Sequence, residues 1–312
     1  MMCSPSFPER LPSVINNYWM SPETTSVNRL PMLNIEHFEQ ISLDGTWRFQ
    51  LLHSPTEKLG KRWASIPVPG LWTMQEPSDV FFDKPIYTNV QMPFEEQPPF
   101  VPAENPTGVY ERDFDVPKSW TGKRIVLQVG GYESVALVYI NGQEVGLSKD
   151  SRLAAEFDVT NFVQNGNNVL RIDVTKWSDA TFIEDQDQWW HGGITRSIKL
   201  YATNKVFIEK FAAIAGLEKD LSTGTLDVRA KISSIDNEST DGYSLHLAIR
   251  ELPKVKSASI SALLKNFVPP IWTETPEEVA LAARDYFHAK FWNGNLPQSA
   301  KTAVSIMEPP PH

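Results

Sequence analysis

The sequence has a single cysteine, Cys3, so no disulfide can form within the chain. That weakly favours a reducing compartment, since many secreted proteins also lack bridges. No stretch approaches the ~18 apolar residues that a membrane helix requires. The first residues, MMCSPSFPERLPSV, lack a basic segment followed by an apolar core, so no secretory leader is expected. Positive charge is also short: 29 Lys and Arg against 38 Asp and Glu leave a net charge of −9. Nucleic acid, whose phosphates call for a basic face, is therefore not an expected partner. No nucleotide, phosphate or structural-zinc motif is present, and the six histidines are scattered. A soluble, cytoplasmic protein with no membrane or nucleic-acid partner is the expectation.

What is present is length for about two domains in 312 residues, with 24 prolines and 10 tryptophans, which suits a β-rich chain with many turns. Residues 1–41 carry five prolines and no sustained period, as an extended arm would. Tyr18-Trp19-Met20 and Leu30–Leu33 are too apolar for a solvated tail, so docking on another surface is expected to order it. From Thr46, residues Trp47, Phe49 and Leu51 alternate with Arg48 and Gln50, a half-buried strand. Further strands are predicted at Tyr110–Val116, Arg124–Val129, Val135–Ile140, Phe157–Val159 and Val169–Val174. Asn141-Gly142 is a hairpin signal. In the last of these strands Leu170, Ile172 and Val174 are expected to point in, with Arg171 and Asp173 out. Short strands with turn residues between them, and no βαβ alternation, indicate an all-β antiparallel sandwich.

A second unit begins near Asn204. Leu226, Val228, Ala230 and Ile232 alternate with Asp227, Arg229 and Lys231, and Leu245, Leu247 and Ile249 alternate further on. A ~100-residue unit of such strands suggests an immunoglobulin-like sandwich. Thr275-Pro-Glu-Glu278 has the pattern of a helix start. Across 276–290 local propensity favours helix and the sandwich context favours strand; strand is the expectation taken.

The chemistry concentrates in Trp177–Arg196, WSDATFIEDQDQWWHGGITR. Glu184, Asp185 and Asp187 stand beside Trp189 and Trp190, followed by Gly192-Gly193. Carboxylates accept hydrogen bonds from hydroxyls and bind hard cations, and indoles offer a flat apolar face. The set suits a polyhydroxylated ring; it equally suits an acidic surface loop followed by core tryptophans. His191 is expected to be a loop histidine without a catalytic role. Glycoside hydrolysis needs two carboxyls facing one bond, and neighbours on one segment crowd each other. Binding or cation coordination is the better use of this triplet.

Several segments resemble one family as a set. They are Asn28–Pro31, Leu43–Phe49, Pro85–Asn89, Pro98–Pro102, Glu104–Gly108, Asp150–Asp158, Trp177–Asp179 and Glu184–Trp190. Together they resemble the N-terminal region of the bacterial β-galactosidases of glycoside hydrolase family 2. The similarity runs from about residue 16 to 204 and weakens beyond, where Lys290–Trp292 and Leu296-Pro297 resemble a strand region of the family's second domain.

The resemblance implies a galactose-binding-like jelly-roll sandwich over 42–204. It implies an immunoglobulin-like sandwich over 205–312, expected to be incomplete at its C-terminus. The family's (β/α)8 barrel, which carries both catalytic glutamates, is expected to lie outside this chain, so no catalytic residue is assigned and the chain alone is expected to be inactive. By the same resemblance Asn105 is matched to a residue that reaches the galactose site, and Asp187 to one that binds galactose and a sodium ion. Only part of that sodium site would lie here, and magnesium ligands would lie in the barrel. Trp189 and Trp190 are expected to pack the loop rather than stack on a sugar. Implied partners are a galactoside, the rest of the polypeptide and further copies in a homo-oligomer. A stand-alone carbohydrate-binding module, or part of a family 2 β-glucuronidase or β-mannosidase, are the alternatives.

Overall fold

The computed structural model describes residues 13–33, 35, 37–76, 83–89, 91–235, 240, 242–251 and 300–307. Among these residues all regular structure is β-strand apart from short 3-10 turns, so the all-β expectation holds. The chain divides into two compact units, residues 1–240 and 241–312.

The first unit is built on two sheets. Its strands in chain order are β1 (Ser26–Val27), β2 (Gln40–Ser42), β3 (Gly45–Leu52), β4 (Ala64–Val68) and β5 (Thr107–Val116). Next come β6 (Arg124–Val129), β7 (Val135–Ile140), β8 (Gln143–Ser148), β9 (Ala155–Asp158), β10 (Gly166–Thr175) and β11 (Ile198–Thr203). One sheet has the order β1-β8-β7-β10-β5-β3-β4 and the other β9-β6-β11-β2. β5 and β10 pair along their whole length, from Thr107↔Thr175 to Val116↔Gly166. β7 and β8 meet at Asn141-Gly142, whose positive φ values of 52° and 75° are those of the tight hairpin turn that Asn-Gly favours.

Alternation along each strand fills the space between the sheets. Phe49, Tyr110, Leu127, Val129, Phe157, Leu170, Ile172, Val174 and Leu200 belong to one buried cluster. Leu170, Ile172 and Val174 point in as their period requires. Asp173, expected on the solvent side, is only 8% exposed, and Arg171 donates to it from Nε at 2.7 Å and Nη2 at 2.6 Å. Burial pushes the Asp173 carboxyl above its ordinary pKa, partly offset by Arg171.

The outer face of the larger sheet is covered over β7, β8 and the neighbouring end of β10, which is why Asp173 is not wet. Tyr18, Trp19, Val135, Leu137, Leu147, Trp177 and Trp190 form a second buried cluster there. The arm enters through a 3-10 stretch, Ser13–Met20, and then adds β1 to the free edge of β8. Its side chains are tied down in turn. Tyr18 Oη and Thr175 Oγ1 lie 2.9 Å apart, Asn28 Nδ2 donates to Val145 O, and Arg29 reaches Asp150 and Ala154 O. From the sheet side, Lys149 Nζ donates to Ser21 O at 2.8 Å. Covering an edge strand satisfies backbone groups that would otherwise invite other chains.

Beyond the sandwich, β12 (Val206–Leu217) and β13 (Gly224–Ser234) form a ladder with a bulge between Ile208 and Lys210. In the second unit β14 (Ser244–Glu251) pairs antiparallel with β15 (Ala300–Met307), from Ser244↔Met307 to Glu251↔Ala300. The 276–290 segment and Lys290–Pro297 lie outside the described residues.

Candidate functional site

The Trp177–Arg196 stretch is held from beneath by Trp72, a fully buried side chain. Gly70-Leu71, just before it, pairs with Gly193-Ile194, which also pairs with Tyr132-Glu133. A Cβ on Gly192 would lie 2.1 Å from the Trp72 ring, and Gly193 has φ +138° with Gly70 O in the way of any side chain. The two glycines are therefore where the stretch lies flat on the indole. Trp72 Nε1 donates to Asp83 Oδ2 at 2.8 Å, and Lys176 Nζ donates to both oxygens of Asp83. Burial pushes the Lys176 pKa down, opposed by Asp83.

Asn105 closes the next layer. It is 1% exposed; Nδ2 donates to Trp177 O at 2.8 Å and Oδ1 accepts from Trp177 N at 2.9 Å. Lys176 N donates to Pro106 O, so the Glu104–Gly108 loop and the start of the stretch are zipped together. Trp177 meets Phe94 and Trp190 edge to face, with ring centroids 5.3 and 5.6 Å away. Trp190 is buried and its Nε1 donates to Thr88 Oγ1, while Trp190 and Trp189 pair with Ile86 and Tyr87.

The three carboxylates do different things. Glu184 accepts from Ser151 N at 2.8 Å and from Ser151 Oγ, so it pins the Asp150–Leu153 turn. Asp185 is half-buried. Asp187 is exposed, and its Oδ1 accepts from Tyr87 Oη at 2.7 Å, which orients the carboxylate and leaves Oδ2 outward. That hydrogen bond and the carboxylate charge push the Tyr87 phenol above its ordinary pKa. Trp189 is 53% exposed, its ring 5.5 Å from that of Tyr87. His191 Nδ1 lies 3.0 Å from Thr73 Oγ1; burial, then the charges of Lys176 and Arg152, push its pKa down.

Asn105 and Asp187 thus belong to one connected set: Asn105 holds Trp177, Trp177 packs on Trp190, and the Trp189-Trp190 strand pairs with Tyr87, which holds Asp187. Sequence reasoning did not single out Tyr87, Trp72, Asp83 or Lys176. Only Tyr87 carried a signal, as part of the Pro85–Asn89 segment. Among the described residues no group of three or more His, Cys, Asp or Glu side chains is placed to hold a metal ion. The exposed Asp187 carboxylate fits a hard cation as one oxygen ligand and no more.

Residues 40–204 match the family model for the glycosyl hydrolases family 2 sugar binding domain. The chain belongs to glycosyl hydrolase family 2. This family 2 chain is 38% identical over 281 residues to a β-galactosidase of Psychromonas ingrahamii, covering 87% of this chain and 26% of that protein. It is 42% identical over 186 residues to a β-galactosidase of Arthrobacter sp., covering 52% and 18%. A β-galactosidase of Pectobacterium atrosepticum is 34% identical over 313 residues, covering 92% and 29%. The family 2 chain therefore spans between 18% and 29% of the length of these relatives. In fold it is similar to a β-glucuronidase from Ruminococcus gnavus, at TM-score 0.50 and 16% identity over 72% of this chain and 38% of that one.

Proposed function

We propose that this family 2 chain is the sugar-binding part of a retaining β-galactosidase, and that it supplies the Asn105 and Asp187 loops to a catalytic barrel elsewhere in the polypeptide. The observation that carries this is Asp187: an exposed carboxylate, oriented at one oxygen by Tyr87, with the other oxygen outward. A free carboxylate oxygen accepts a hydrogen bond from a sugar hydroxyl and adds one ligand to a sodium ion. Hard cations of this kind take about six or more oxygens in other sites, so the remaining ligands must come from the barrel and Asp187 alone binds sodium weakly. Asn105 has spent one N–H and one lone pair on Trp177, and an amide has two of each. Its remaining N–H is the donor proposed for the galactose side. Its bridge to Trp177 also keeps the Asp187 segment in place.

Retaining hydrolysis needs a nucleophile and an acid/base roughly 5 Å apart. Glu184 is held by Ser151 and Asp187 by Tyr87, and both catalytic groups are assigned to the barrel, as the family resemblance implies. Magnesium, where the whole enzyme uses it, belongs with the barrel. Among the described residues no helix is long and apolar enough to cross a membrane. Exposed Ile183 and Trp189 near Asp187 are proposed to meet the barrel or another copy of the chain.

The test is nitrophenyl β-galactoside hydrolysis by this chain, alone and mixed with a barrel-bearing fragment, then Asp187→Ala in a protein that contains the barrel. Activity in the mixture, lost with Asp187→Ala, is the expected result. Turnover unchanged by Asp187→Ala would overturn the role of that residue, and turnover by the chain alone would overturn the whole reading. A second reading, a self-sufficient carbohydrate-binding module, draws on the exposed Trp189 beside Tyr87 and Asp187. Saturable galactose binding by the isolated chain in calorimetry would favour it.

A further inference from the structure

We propose that the family 2 sandwich carries a second binding cleft, for a neutral hydroxyl-rich ligand of the saccharide class, at the end opposite Asn105 and Asp187. The cleft has a volume of ≈ 530 Å³, within the range of about 300–1,000 Å³ that small-molecule sites occupy. Strand β10 gives its position. Gly166 lies next to the cleft-lining Asn165, while Thr175 is two residues before Trp177. At about 3.3 Å per residue the two ends stand roughly 30 Å apart, too far for one small ligand to occupy both.

The floor is apolar, made by buried Val116, Trp120 and Ile125. One wall is a row of amides, Asn161, Gln164 and Asn165. Their loop is held in place by Asn168, itself buried: its Oδ1 accepts from Gln164 N and Asn141 Nδ2, and its Nδ2 donates to Gln164 O and Gly166 O. A wall fixed in this way loses little freedom on binding.

The unspent hydrogen-bonding capacity of that wall points to the ligand. Among the described residues the Asn161 side chain has no partner. Gln164 spends Nε2 on Asn167 O and keeps Oε1, and Asn165 spends Oδ1 on Thr121 Oγ1 and keeps its NH2. Donors and acceptors therefore stand side by side, as hydroxyls that both give and accept require. The charged groups at the rim are already compensated: Lys123 pairs with Glu39, Asp158 pairs with Arg124, and Lys205 is engaged within the chain. Nothing in that arrangement demands an ionic ligand.

The experiment is an NMR titration of the 312-residue chain with lactose, cellobiose and, as an anionic probe, glucose 6-phosphate. The expected result is saturable shifting of the Asn161, Gln164 and Asn165 side-chain amide resonances by a neutral disaccharide. Replacing Asn161 and Gln164, both exposed, by Ala should weaken this about tenfold per amide removed. The same titration in the Asp187→Ala chain reads this cleft separately from the galactose site, and the shifts are expected there too. No saturable shift with either disaccharide overturns the proposal. So do shifts whose concentration dependence the Ala substitutions leave unaltered, or tighter binding of glucose 6-phosphate than of both sugars.

Discussion

The side chain of Asn105 substitutes for a missing strand partner of Trp177, donating from Nδ2 to its carbonyl at 2.8 Å and accepting at Oδ1 from its N–H at 2.9 Å. Both Trp177 groups are buried, so removing the amide strands a donor and an acceptor together. Asn105→Ala is expected to cost about 2–6 kcal/mol, at about 1–3 for each of the two groups left unpaired, read as a lower urea midpoint of the isolated chain. Asn105→Asp should not restore it, because a carboxylate cannot donate to the Trp177 carbonyl. Unchanged stability in the Ala variant would show that the bridge is dispensable.

Asp187 and Tyr87 offer a test that needs no substrate. The phenol titrates above its ordinary value because it donates to Asp187 and because the nearby negative charge opposes phenolate formation. Asp187→Asn removes the charge, so the Tyr87 pKa should drop back towards normal, followed by NMR of labelled tyrosine. A Tyr87 titration indifferent to that substitution would mean that the carboxylate is not oriented as described.

The arm makes a prediction about association. Without residues 1–33 the β8 edge at Leu147-Ser148 loses its partner, and Val135, Leu137 and Leu147 lose their Tyr18 and Trp19 cover. Unpaired edges and uncovered apolar faces recruit other chains. The truncated chain is expected to melt lower and to show a steeper rise of sedimentation mass with concentration than the intact chain. Equal behaviour of the two would remove the capping role.

His37 predicts part of the acid limb. Its ring stacks on Tyr201 with centroids 3.7 Å apart, and burial, then the Arg124 charge, push its pKa from 6.5 to about 4. Unfolding restores the ordinary value, so between those pH values the unfolded chain binds the extra proton. The contribution is present above pH 6.5 and is lost as pH falls towards 4. His37→Phe keeps a ring on Tyr201 and removes the proton site. Its urea midpoint should fall less steeply than that of the unchanged chain across this window; parallel curves would contradict the shift.

The strands legible in the sequence were those with a clear local period of two: Trp47, Phe49, Leu170, Ile172 and Val174 alternate regardless of what they pack against, whereas short strands such as Ser26–Val27 and Ala64–Val68 carried no such signal. Asn141-Gly142 announced its turn because few dipeptides accept two positive φ values. The burial of Asp173 was not legible, since alternation says which face a side chain takes and not whether another segment, here the Tyr18 arm, covers that face.

By itself, then, the sequence determined the all-β class, the positions of the most regularly alternating strands and the stretch that holds the acidic and aromatic residues. Tertiary structure alone decided the partners. Tyr87 reaches Asp187 across 100 residues of chain, Asp83 reaches Lys176 across 93, and Asn105 reaches Trp177 across 72. The physical reason is range: backbone period and turn chemistry act over a few residues and leave their mark locally, whereas a hydrogen bond between distant segments depends on how whole sheets stack.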